Sequence, residues 1–147
     1  MSADIQQLTP LLYPLAQRFY RQHQRGTKLS SQHQVWVGKQ DHLIVSALCL
    51  QPTAHGHWLT SLLVAPQHRH QGQAAALLKH IRAIYSGPIW LFCAPELRTF
   101  YEQAGYLETL ELPENLQGRL VRYQRHKRLI ALVSAPSACV KQAMPSG

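Results

Sequence analysis

The stretch VAPQHRHQGQAAALL, Val64 to Leu78, sets Arg69, Gly72 and Ala74 between an apolar run and a run with helical spacing. A helix start presents backbone N–H groups without partners and a partial positive charge, so an anion placed there is stabilised twice. A bulky pyrophosphate can approach only if few side chains stand in its way. Gly72 and Ala74 leave that room, Arg69, with His68 or His70 beside it, adds positive charge, and Gln71 and Gln73 supply neutral donors. The chemistry on offer is a phosphate cradle made of main chain. Taken alone, the pattern R-x-x-G-x-A also describes an ordinary strand-to-helix turn containing a glycine.

Such a loop needs a strand before it and a helix after it. WLTSLLVAP reads as an apolar strand over Trp58–Val64, ended by Pro66. Ala74, Leu77, Leu78, Ile81 and Tyr85 fall on one stripe, which predicts a helix from Gly72 to Tyr85. Upstream, Gln34–Lys39 and Leu43–Gln51 read as strands joined by a tight turn, which makes an antiparallel meander with the next strand. Leu12, Leu15, Ala16 and Phe19 predict an earlier helix from Leu11 to Gln24, with Pro14 in its first turn, and residues 1–9 read as a frayed start. Downstream, IWLFCA is wholly apolar, as a strand buried on both faces is. PELRTFYEQAG reads as a short helix with Pro95 at its start and Gly105 at its C-cap, and YLETLEL as a strand. A turn with a short helix, PENLQGRLVRYQR, and a last strand, KRLIALV, complete the order. The pattern is an α/β layered domain over 1–134, a mixed, mostly antiparallel sheet with a central β-α-β crossover and flanking helices. Residues 135–147 have the composition of a disordered tail.

The totals agree with a globular chain. It has 147 residues, 46% of them hydrophobic, and no apolar run long enough to span a bilayer. The start carries no secretory pattern, and three scattered cysteines argue against a disulfide framework. The expectation is a cytoplasmic protein without a membrane partner. Its formal charge of +8 favours anionic ligands.

The loop does not stand alone. VAPQHRHQGQAAALL resembles the acetyl-CoA loop of the GNAT N-acetyltransferases, V-x-P followed by R-x-x-G-x-G/A and a helix opening on Leu-Leu. FYEQAGY, Phe100 to Tyr106, is similar to that family's F-Y-x-x-x-G-F. The two motifs come in the family's order with one helix and one strand between them, and the likeness runs from Val35 to about Leu112, and to Val133 with the last strand. It implies acetyl transfer from acetyl-CoA to an amine by direct attack in a ternary complex; the acceptor stays unnamed, and the positive charge favours a small molecule over a lysine-rich protein. It implies backbone contacts from Leu63 and Val64 to the pantetheine arm and acetyl carbonyl, and from Arg69, His70, Gln71, Gly72, Gln73 and Ala74 to the pyrophosphate. Leu63 N–H would bind the oxyanion, and Tyr101 would give the departing thiolate a proton. Phe100 and Tyr106 would be core. Three positions depart from the pattern: His70 replaces a usual glycine, Ala74 stands for the last glycine, and an Asn common near the end of the fifth strand is replaced around Ala94. Many relatives place a Glu on the fourth strand as base. HWLTSLLV has none, so His57 at its mouth is the candidate, with Ser61 or Thr60 as positions for a water. Glu96 and Glu102 flank the second motif and read as solvated.

Two further patterns carry less. The pairs His55/His57 and His68/His70 invite a metal, but no carboxylate or cysteine pair accompanies them, and no metal is expected. The basic run Gly118–Arg128 reads as a solvated helix face, with Leu116, Leu120 and Tyr123 inward, which argues against nucleic acid as partner. A non-catalytic CoA-binding or nucleic-acid-binding module on the same fold is the competing reading. The sequence leaves a homodimer open and does not name the acceptor.

Overall fold

The computed structural model describes residues 4–23 and 26–134. The tail expected over 135–147 lies outside them. Two compact units emerge, one running to Pro52 and including Leu59–His80, the other comprising Thr53–Trp58 and the chain from Ile81 onward.

The first unit opens on β1 (Asp4–Gln7), which pairs antiparallel with β2 (Gln34–Gln40), Asp4 facing Lys39 and Gln7 facing Trp36. The expected frayed start is therefore a short edge strand; its four residues carry no apolar alternation, and only the ladder to β2 fixes them. β2 turns into β3 (Leu43–Thr53) through Asp41 and His42, both left-handed at φ 51° and 67°. Two positive φ values in a two-residue turn match the twist of the strands they join.

Helix α1 (Tyr13–His23) follows a 3-10 turn at Pro10–Leu12, and Pro14 occupies its first turn. Its buried face is Ala16, Phe19 and Tyr20, whereas Leu12 and Leu15 are exposed. The stripe is thus rotated from the one read in the sequence. The core it joins holds Val35, Val37, Ala47, Cys49, Leu63 and Ala65. Gln17 pins the loop after the helix, donating to Thr27 O at 2.7 Å and accepting from Leu29 N at 2.9 Å. This unit also holds the end of β4 (Gly56–Val64) and the start of α2 (Gln73–Ile84).

In the second unit the start of β4 pairs parallel with β5 (Ile89–Cys93), His57 with Ile89 and Trp58 with Trp90. A parallel pair needs a crossover, and α2 is that crossover. Then come α3 (Arg98–Gln103), β6 (Tyr106–Glu108), α4 (Glu114–Gln124) and β7 (Ile130–Ser134). β7 inserts between β5 and β6 and is antiparallel to both. The strand order is β1-β2-β3-β4-β5-β7-β6, the mixed, mostly antiparallel sheet that the pattern of elements led one to expect. Trp58, Trp90 and Leu116 form a core here, with Phe92, Leu112 and Val133 packed against it. The strand expected over YLETLEL stops at Glu108, and α4 is a full helix of 11 residues. Tyr123, expected inward, is exposed and touches Phe92 edge-on.

Candidate active site

β4 ends at Val64, and Ala65, Pro66, Gln67 and His68 form one 3-10 turn. Arg69 is then extended, at φ −72° and ψ 157°. His70 is left-handed at φ 64°, Gly72 at φ 80°, and α2 starts at Gln73. The chain makes its first helical bond only at Ala76, whose N–H donates to Gly72 O at 3.0 Å. Among the described residues, no hydrogen-bond partner is met by the N–H groups of His70 to Ala75. No acidic residue stands in the first turn of α2. The helix therefore carries its positive end without a neutralising side chain, behind a loop of open donors.

Gly72 is required here by conformation rather than by crowding. A Cβ built on it meets nothing within 4 Å, but its φ of 80° disfavours any L side chain. His70 shows why a glycine is usual one step after the arginine, since its own φ is left-handed and histidine tolerates that region at a cost. Arg69 folds back, its Nε donating to Val64 O at 3.2 Å, which ties the loop to the end of β4. Gln73 is buried, Gln71 is exposed and Ala74 is half-buried. Leu63 packs in the core of the first unit.

Tyr20, which sequence reading passed over, shapes this segment through Ser61. Ser61 is left-handed at φ 58° inside β4, a conformation unusual in a strand for a residue with a side chain. The Tyr20 hydroxyl donates to the Ser61 carbonyl at 2.7 Å and lies 3.6 Å from Cys49 Sγ. Tyr20 is fully buried, and burial pushes its pKa far up, so the phenol always keeps the proton it donates. The signal was available: Ala16, Phe19, Tyr20 and His23 follow the same i, i+3, i+4, i+7 pattern as the stripe that begins at Leu12, one turn further along.

The second unit holds the two side chains singled out for proton transfer. Tyr101 sits on α3, buried, with its ring edge-on to Phe100 at 5.1 Å and to Tyr106 at 6.4 Å between centroids. Burial, and then the nearby Cys93 thiol, push its phenol up to about 12. Tyr106 is fully buried as expected; Phe100 is not core, being 36% exposed, because α3 is too short to bury both of its aromatic faces. His57 is the second residue of β4, whereas Leu63 and Val64 are its last two. Its ring packs on Tyr85 at 4.5 Å between centroids, and its Nδ1 is shut from water with no partner among the described residues. Burial lowers its pKa, so the imidazole is neutral at pH 7. Glu96 and Glu102 are exposed, as read. No group of three or more His, Cys, Asp or Glu side chains that could hold a metal occurs among the described residues.

A family model for the acetyltransferase (GNAT) domain matches residues 31–108, just over half of the chain. The chain belongs to the GNAT acetyltransferases. Solved GNAT-fold structures agree across nearly the whole length. Escherichia coli ElaA superposes with a TM-score of 0.62 at 15% identity, over 91% of this chain and 99% of that one. The ribosomal-protein-S18-alanine N-acetyltransferase of E. coli gives 0.64 at 16%, over 90% and 91%. Arabidopsis thaliana Naa50, solved with a bisubstrate analogue of CoA and a peptide, gives 0.64 at 11%, over 92% and 99%. At these identities the likeness is one of fold. No curated protein matches the sequence. No helix among the described residues is long and apolar enough to cross a membrane.

Proposed function

We propose that this GNAT protein transfers an acetyl group from acetyl-CoA to a primary amine on a small molecule, by direct attack in a ternary complex. The observation that carries the reading is the run of N–H groups from His70 to Ala75 that meet no partner among the described residues, at the carboxylate-free start of α2. In this reading those groups hold the pyrophosphate. Backbone groups of Leu63 and Val64 hold the pantetheine arm, and Leu63 N–H stabilises the oxyanion, a fixed donor needing no reorganisation. The amine nitrogen bonds to the thioester carbon, the C–S bond breaks, and the thiolate takes a proton from Tyr101. The buried phenol supports that role because it stays protonated at any working pH.

The amine must arrive neutral. His57 is the proposed base, and its lowered pKa supplies the neutral imidazole a base needs. Leu63 lies near the other end of β4, so we assign His57 proton removal through water rather than contact with the reacting carbonyl.

The test is the thermal midpoint of the purified chain with acetyl-CoA, with NAD and ATP as phosphate controls, followed by a panel of amines. Saturation at about 100 times Kd adds roughly 2.7 kcal/mol, or about 5–10 °C for a chain of this size. A shift with acetyl-CoA alone, with CoA thiol released on adding an amine, is the expected result. A shift without turnover of any amine would favour a CoA-binding module. Equal shifts with all three ligands would remove the assignment of the loop.

A further inference from the structure

The segment that leads into the cradle also walls a cavity in the first unit. Its volume is about 360 Å³, at the small end of the roughly 300–1,000 Å³ usual for small-ligand sites. α1 contributes Arg18, Phe19 and His23; the β2–β3 hairpin contributes Lys39, His42 and Val45; the turn before the cradle contributes Ala65, Gln67 and His68. The floor is apolar, since Phe19, Val45 and Ala65 are buried. The rim is cationic. Two permanent positive charges and three imidazoles line the cavity, and no carboxylate does.

These groups are not spent elsewhere. Among the described residues, Arg18, Lys39 and His42 have no ion pair or hydrogen bond of their side chains. His68 Nδ1 is shut from water and has no partner among them. The nearest acids by position are Asp4, across the ladder from Lys39, and Asp41 in the hairpin turn, and neither lines the cavity. Like charges gathered around an apolar floor repel one another, and a bound dianion reverses the sign of that interaction. A guanidinium, an ammonium and imidazole N–H groups are the donors that a phosphate takes in charge-assisted hydrogen bonds.

We propose that this cavity is a phosphate-monoester site. The monoester is either the 3′-phosphate of CoA or that of a separate phosphorylated acceptor. The first source rests on the acetyl-CoA reading above; the site itself does not.

The experiment titrates inorganic phosphate, CoA and dephospho-CoA by calorimetry at fixed ionic strength into three full-length proteins. These are the wild type, R18Q/K39Q, and R21Q/K79Q, which removes the same charge at positions outside the cavity. Inorganic phosphate is expected to bind the wild type and to weaken roughly tenfold or more in R18Q/K39Q, the scale of a partly exposed charge-assisted contact. R21Q/K79Q is expected to bind as the wild type does. If CoA weakens with phosphate while dephospho-CoA does not, the phosphate is the cofactor's own. If CoA and dephospho-CoA bind both variants as they bind the wild type, the site serves a separate phosphorylated molecule. Equal weakening in both variants, or no phosphate binding at millimolar concentration, overturns the site. A wild type that binds phosphate but neither CoA form would instead overturn the acetyl-CoA reading and leave the site standing.

Discussion

Two strands of this protein end in nearly the same way and then part. β4 ends in Val64-Ala65-Pro66-Gln67-His68, and β5 in Cys93-Ala94-Pro95-Glu96-Leu97. Each Ala is extended, at ψ 140° and 144°, each Pro opens a 3-10 turn, and each turn is closed by a bond to the Ala carbonyl of 2.8 or 2.9 Å. The next residue sets them apart. Arg69 is extended at ψ 157°, the chain swings through two left-handed residues, and the N–H groups from His70 to Ala75 are left open. Arg98 is helical at ψ −47°, so the turn runs straight into α3 and lifts Tyr101 on a short rigid helix. Glu96 already places a negative charge at that start, whereas α2 has none. One junction offers main-chain donors to an anion; the other offers one side chain. Binding belongs to the first in our reading and proton transfer to the second.

The largest effect should come from Gly72→Glu. The added carboxylate repels phosphate, and its backbone must hold a φ of 80°. Acetyl-CoA affinity is expected to fall at least about a hundredfold, about 2.7 kcal/mol, with the circular-dichroism spectrum retained. Binding that survives unchanged would place the pyrophosphate elsewhere.

Tyr101→Phe should do the reverse. Turnover is expected to drop roughly 10–1000-fold, the scale of one general acid, while acetyl-CoA affinity stays as it was. A fall in affinity with turnover intact would erase the distinction between the two junctions.

A smaller effect is expected at Tyr20. Tyr20→Phe strips the Ser61 carbonyl of its buried donor and should cost about 1–3 kcal/mol, read in chemical denaturation. If β4 is shaped by this bond, KM for acetyl-CoA also rises while the pH profile of kcat is unmoved. A stability change near zero would show that the strand keeps its kink without help.

The smallest concerns acid. His57 and His33 both have pKa values lowered by burial, and His33 Nδ1 also accepts from Ser30 N–H at 3.0 Å. The unfolded chain binds these protons near pH 6.5 while the native chain resists them. Their contribution is therefore present above about pH 6.5 and is lost as pH falls through the lower native values. His57→Gln should flatten the decline in thermal midpoint between about pH 7 and 5. An unchanged slope would mean that His57 is no less easily protonated when folded than when unfolded.

Much of this was written in residue order. The apolar run before Pro66, the glycine at 72 and the stripe through Leu77, Leu78 and Ile81 are local facts, and each fixes a local conformation. The expected crossover between β4 and β5 comes with them, because a helix between two apolar strands returns the chain in parallel. Other features rest on partners far along the chain. Asp4–Gln7 become a strand only because β2 offers an edge. Nothing in KRLIALV says that β7 enters between β5 and β6, since strand order depends on which edges and faces meet in space, not on the strand's own pattern.

Residue order alone set the repertoire: a cradle sequence, a tyrosine after it, a cationic excess and the elements that carry them. Periodicity, proline and glycine act over a few residues, so they are legible there. Folding decided which groups lack partners. It gave Ser61 the hydroxyl of a tyrosine 41 positions away, left the N–H groups open at the start of α2, and gathered Arg18, Lys39 and His68 from three separate elements around one cavity. Hydrogen-bond satisfaction and charge clustering are sums over neighbours in space, and a sequence orders its residues along only one line.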